Sequence, residues 1–83
     1  MHLWFVYILE CADGTLYTGM TNDIERRLEQ HNAGTAARYT RARTPVKLVY
    51  QEKSENRSTA LKREYAIKQL TRKQKDQLIT GKT

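Results

Sequence analysis

Leu3-Trp4-Phe5-Val6-Tyr7-Ile8-Leu9-Glu10, then Cys11-Ala12-Asp13-Gly14, then Thr15-Leu16-Tyr17-Thr18-Gly19, is the stretch that decides how this chain folds. The first run is dense in aromatic and β-branched side chains, which suit a pleated backbone. Apolar residues occupy both alternating sets of positions, so this strand is expected in the middle of a sheet, covered on both faces. Asp13-Gly14 signals a turn, and Thr15 to Gly19 reads as the partner strand of a hairpin. Two loop lengths are open. A two-residue turn at Asp13-Gly14 sets Tyr17 opposite Glu10, on the other face from Tyr7. A three-residue loop, Ala12-Asp13-Gly14 with Gly14 left-handed, sets Tyr17 opposite Leu9, and the two tyrosines share a face as diagonal neighbours.

Outward from the hairpin, Asn22 with Glu25 resembles a capping box and predicts a helix from about Asp23 to Asn32. Residues Ala33 to Pro45, with Gly34 and several threonines, read as an exposed loop. Val46 to Gln51 reads as a third strand. A second helix is expected from Arg57 or Ser58 to about Leu70, and Thr71 with Gln74 caps a third that ends before Gly81. The order ββαβαα gives an α+β fold: a small three-stranded, mainly antiparallel sheet flanked by helices. The 83 residues leave room for one core, so 1–83 is read as a single domain.

Fifteen Lys and Arg against nine Asp and Glu give a formal charge of +6. A field of that sign favours polyanions such as nucleic acid, although it also serves plain solubility. Cys11 is the only cysteine, which excludes an internal disulfide and a cysteine-rich zinc site. The apolar run Leu3 to Leu9 is too short to span a bilayer and lacks a basic leader and a small-residue cleavage site. A cytoplasmic setting with no membrane partner is the expectation.

The helical faces single out two charged residues. At 100° per residue, Ile24, Arg27, Leu28 and His31 fall in one sector, whereas Arg26, Glu29 and Gln30 lie opposite. Arg27 on the inward-leaning face incurs a desolvation cost unless an anion meets it. In the second helix Ala60, Leu61, Ile67 and Thr71 form the apolar sector, with Glu64 near its middle. A carboxylate there needs a counter-charge, a donor or a metal. The plain structural explanations are an ion pair of Glu64 with Lys68, four residues on, and of Arg27 with Glu64 itself.

Val6-Tyr7-Ile8, Leu16-Tyr17-Thr18-Gly19, Asp23-Ile24-Glu25-Arg26-Arg27-Leu28 with His31-Asn32, and Ala60 followed by Glu64 together resemble the GIY-YIG nuclease superfamily, closest to its small stand-alone bacterial members. The namesake letters differ, but both tyrosines and Gly19 are retained. No asparagine follows Glu64, where some relatives place one. The resemblance favours the three-residue hairpin loop. It implies a metal-dependent endonuclease that hydrolyses phosphodiester bonds, with DNA the expected substrate and little sequence specificity. It implies catalytic roles for Tyr7, Tyr17, Arg27, His31 and Glu64, with Glu64 holding Mg²⁺ or Mn²⁺ and no small-molecule cofactor. Gly19 is expected to let the backbone turn where the strand leaves the sheet.

The segment Arg38-Tyr39-Thr40-Arg41-Ala42-Arg43 interleaves a ring with cations. Arg38, Tyr39, Arg41 and Arg43 are therefore expected to contact nucleic acid by phosphate contact and base stacking. The competing expectation is a non-catalytic nucleic-acid-binding module that keeps the nuclease fold.

Overall fold

In the computed structural model, which describes residues 3–81, the chain first reverses through the longer of the two possible loops. Cys11 N donates to Thr15 O at 2.8 Å, and Gly14 N donates to Cys11 O at 2.9 Å. Gly14 has φ +84°, a conformation that glycine adopts without a side-chain clash. Asp13 Oδ1 stiffens the turn by accepting from both the backbone and the hydroxyl of Thr15. The strands so joined are β1 (Trp4–Glu10) and β2 (Leu16–Thr21), antiparallel, with Leu9 opposite Tyr17 and Tyr7 opposite Gly19. Tyr7 and Tyr17 therefore lie on one face.

A third strand, β3 (Lys47–Ser54), pairs antiparallel with the other edge of β1, giving the order β2-β1-β3. Its register shifts between Ile8 and Leu9: Ile8 faces Tyr50 and Leu9 faces Leu48, so Val49 is the extra residue of a bulge. The remaining elements are α1 (Ile24–Asn32), α2 (Arg38–Arg41), α3 (Arg57–Lys68) and α4 (Arg72–Thr80). The expected sheet and its three main helices are present. The segment expected to be wholly loop contains the single turn α2.

The apolar density of β1 is explained by cover on both faces. Val6 and Ile8, with no exposed surface, pack against Ala60 and Ile67 of α3, backed by Leu78 and Ile79 of α4. Tyr7 and Leu9 face the other way and pack with Val46, Ile24 and Leu28. Full burial of each large aliphatic side chain is worth roughly 1.5–3 kcal/mol, so a chain this small depends on both layers.

Helix boundaries follow local chemistry, with one correction. Asp23, not Asn22, caps α1: its carboxylate accepts from Arg26 N at 3.2 Å, while its own N–H donates to Thr21 Oγ1. That Thr21 contact draws the cap one residue later, and the Asn22–Glu25 box does not form. Asn56 caps α3, and Thr71 with Gln74 forms the expected box at α4. α3 ends at Lys68, so Thr71 belongs to α4 rather than to the apolar sector of α3. Leu61 is likewise off that sector at 49% exposure. The inner stripe runs Ala60, Glu64, Ile67, and Leu61 stands a further 100° around the helix.

One side chain joins α1 to the sheet. Asn32 Oδ1 accepts from Val46 N at 2.7 Å, and its Nδ2 donates to Val46 O at 3.2 Å. The amide thus takes the place of a neighbouring strand for Val46. Asn32→Ala leaves both backbone groups without their partners and is expected to lower unfolding free energy by about 1–3 kcal/mol, measured by urea denaturation.

Candidate active site

Tyr7 projects from the centre of β1 toward β2, and the residue directly opposite it is Gly19. The phenol lies across the space that a side chain at position 19 would fill. A Cβ there would stand 2.6 Å from Tyr7 Cζ and closer still to its hydroxyl oxygen. Gly19 thus sits inside β2 and is not the point where the strand leaves the sheet. Its positional value is the absence of a side chain, and its φ is not in the left-handed region.

Passing over Gly19, the Tyr7 hydroxyl reaches His31 of α1, with 2.8 Å between its oxygen and Nε2. His31 is 1% exposed, and its Nδ1 lies 2.8 Å from Thr40 Oγ1 on α2. Burial, followed by the charge of Arg27, lowers the His31 pKa to about 4. Burial also raises the Tyr7 pKa well above the ordinary phenol, with Tyr17 and Glu64 adding to the rise and Arg27 opposing it. Tyr17 is raised for the same reasons: burial first, then Glu64, against Arg27. Arg27 and Glu64 are therefore both close enough to the two phenols to act on their ionisation, although they come from two separate helices and the phenols from the hairpin.

Arg27 lies between the layers. With Ile24 and Leu28 it lines a cleft floored by Tyr7, Leu9 and Leu48. Its Nη1 donates to Gln30 Oε1 at 3.2 Å, and among the described residues no carboxylate pairs with it. The ion pair with Glu64 that could have explained it is not formed. Arg27 also borders an open groove of about 240 Å³ together with Arg26 and Gln30. Glu64 keeps the other plain explanation: Lys68 Nζ lies 3.7 Å from its carboxylate, although Glu64 is only 16% exposed. Next to it, Arg63 Nε donates to Glu52 at 2.8 Å and ties α3 to β3.

The basic segment divides. Arg38 and Arg41 on α2 are exposed and form no ion pair among the described residues. Tyr39 stacks on Tyr17, with centroids 5.9 Å apart and planes at 26°. Arg43 lies 4.1 Å over the Tyr39 ring, donates to Tyr39 O at 2.7 Å and pairs with Asp13 at 3.0 Å. Tyr39 and Arg43 thus serve the packing around Tyr17 and the hairpin turn. Two members of the site were missed from sequence, Thr40 and Gln30. A threonine in a basic loop carries no signal of burial, and helical periodicity sets Gln30 on the solvent side of α1.

Two outcomes follow. Gly19→Ala forces the Tyr7 ring away from His31 and is expected to cost about 1–3 kcal/mol of stability, with a changed His31 ring spectrum by NMR. His31 titrates near 6.5 when unfolded and near 4 when folded. Between those values the unfolded chain binds a proton that the folded chain does not, so stability falls as pH falls through that window. The urea midpoint is expected to drop from pH 7 to pH 4.5, and less steeply in His31→Gln.

Comparison with known proteins agrees with this architecture. The family described as the GIY-YIG catalytic domain matches residues 3–77. The UPF0213 protein DP2720 of Desulfotalea psychrophila is 60% identical over 77 residues, covering 92% of this chain and 70% of its own. UPF0213 protein CPE1444 of Clostridium perfringens is 58% identical over 79 residues, covering 95% of this chain and 85% of its own. The solution NMR structure of EF2693 from E. faecalis superposes with a TM-score of 0.64 at 46% identity, covering 98% of this chain and 90% of that one. With the profile spanning the hairpin, α1 and α3 that bring the two tyrosines, Arg27 and Glu64 together, the chain belongs to the GIY-YIG catalytic domain family.

Proposed function

We propose that this domain is a metal-dependent endonuclease that hydrolyses phosphodiester bonds in nucleic acid, with DNA as its substrate and little sequence specificity. The observation that carries the reading is Arg27: a half-buried guanidinium without a carboxylate partner among the described residues, beside two phenols that also sense Glu64. An unpaired cation in such a place is costly unless an anion arrives to meet it. A phosphate matches its planar fork of donors.

Among the described residues no three His, Cys, Asp or Glu cluster as metal ligands. A single inward-leaning carboxylate fits a hard cation that keeps most of its own waters. Glu64 would hold Mg²⁺ or Mn²⁺, which supplies charge neutralisation at the phosphate and a more acidic bound water.

Arg27 holds a non-bridging phosphate oxygen and stabilises the charge that grows as water attacks phosphorus. Tyr7 accepts the proton of that water while its own phenolic proton moves to His31 Nε2, 2.8 Å away. Tyr17, backed by Tyr39, orients the water or the phosphate. Among the described residues Tyr7, and not Tyr17, has a ring nitrogen within hydrogen-bond distance of its hydroxyl, which is why the base role falls to it. Arg26, Arg38 and Arg41, exposed and without ion pairs among the described residues, supply backbone contacts that weaken with salt.

Arg27→Ala is expected to reduce cleavage of DNA in Mg²⁺ or Mn²⁺ by roughly 10²–10³-fold, and Glu64→Ala to reduce it to background, both with unchanged circular dichroism. The assay uses double-stranded, single-stranded and branched DNA beside RNA. Salt-sensitive binding with no turnover on any substrate, and no effect of Glu64→Ala, would instead identify a non-catalytic binding module.

A further inference from the structure

We propose that Thr40 is a positioning residue of this site: it holds His31 in the tautomer whose free Nε2 faces the Tyr7 proton. The proposal rests on the nuclease reading for its catalytic consequence but on hydrogen-bond geometry for its content. Thr40 has no exposed surface, lies on the single turn α2, and puts its hydroxyl oxygen 2.8 Å from His31 Nδ1.

The protons at this site can be counted. The Tyr7 hydroxyl is buried, and its hydrogen-bond partner among the described residues is His31 Nε2. If His31 carried its proton on Nε2, two donors would face each other and the phenolic proton would lose its acceptor. Leaving a buried donor without a partner costs about 1–3 kcal/mol. On the other side of the ring, the hydroxyl of Thr40 donates to Ala37 O at 3.2 Å. Its oxygen is then free to accept from His31 Nδ1–H at 2.8 Å. With the proton on Nδ1 each of the three protons has an acceptor: Tyr7 O–H to Nε2, Nδ1–H to Thr40 Oγ1, and Thr40 O–H to Ala37 O. The partner of one ring nitrogen sets the role of the other.

The consequence for the reaction is direct. When water gives a proton to Tyr7, the phenolic O–H bond breaks and an N–H bond forms at Nε2. The resulting imidazolium has two N–H groups, and both already have acceptors, Tyr7 oxygen and Thr40 oxygen. No group has to rotate. Position 39 of the same turn stacks on Tyr17, so two consecutive residues of α2 back the two phenols of the site.

The experiment combines ring ¹⁵N NMR of His31 with cleavage assays on wild type, Thr40→Ser and Thr40→Val. Wild type and Thr40→Ser are expected to show the Nδ1–H tautomer and similar cleavage. Thr40→Val is expected to shift His31 toward the Nε2–H form and to slow cleavage on the order of 10–100-fold, by analogy with the partners that orient metal-bound histidines. An Nε2–H tautomer in the wild type overturns the proposal, and so does an unchanged tautomer in Thr40→Val. If Thr40→Val does not fold, the wild-type and Thr40→Ser spectra decide alone. A tautomer pattern as expected in a protein that cleaves nothing sinks the nuclease reading and leaves the orientation of His31 by Thr40 intact.

Discussion

The pairing of Tyr7 with Gly19 across β1 and β2 is the constraint on which the rest of this structure depends. A phenol can cross to His31 only because the residue opposite has no side chain. That pairing is set by a three-residue loop whose last member, Gly14, has a positive φ. Because side chains alternate along a strand, a loop one residue shorter would turn Tyr17 to the other face and bring Thr18 opposite Leu9. The site would then lose one phenol, and Tyr7 would stand opposite Met20 rather than a gap.

Around that pair the domain tolerates a polar interior because its hydrogen bonds run in one direction and close. His31 is buried, uncharged near neutral pH, and bonded at both nitrogens. Such a chain costs little when every member is satisfied and a good deal when one is removed. Arg27 differs. Its charge is only half withdrawn from water and is met by an amide, not a carboxylate. Among the described residues no carboxylate meets it, so its charge is left for solvent or a ligand to balance.

The basic segment after α1 also has a part in packing that its composition does not show. Arg43 is occupied by Asp13, Tyr39 by Tyr17, and Thr40 by His31. The turn α2 is thus the wall behind the site, while its Arg38 and Arg41 are exposed and form no ion pair among the described residues. Membership of the GIY-YIG catalytic domain family accounts for the frame. The backing of that frame is visible only residue by residue.

What sequence alone determined here was whatever depends on local periodicity and local turn chemistry. The doubly apolar β1, the Thr71–Gln74 box and the inward placement of Arg27 and Glu64 on their helices all follow from spacing along the chain. Two loop lengths fitted the hairpin, and the family resemblance selected between them. Only tertiary structure decided which contacts those placements become. That Thr40 is buried under His31, that Tyr39 stacks on Tyr17, and that Glu64 pairs with Lys68 rather than with Arg27 all depend on how separate elements are brought together. Periodicity states which way a side chain faces, whereas its partner is set by packing in three dimensions, and partners set charge and proton position.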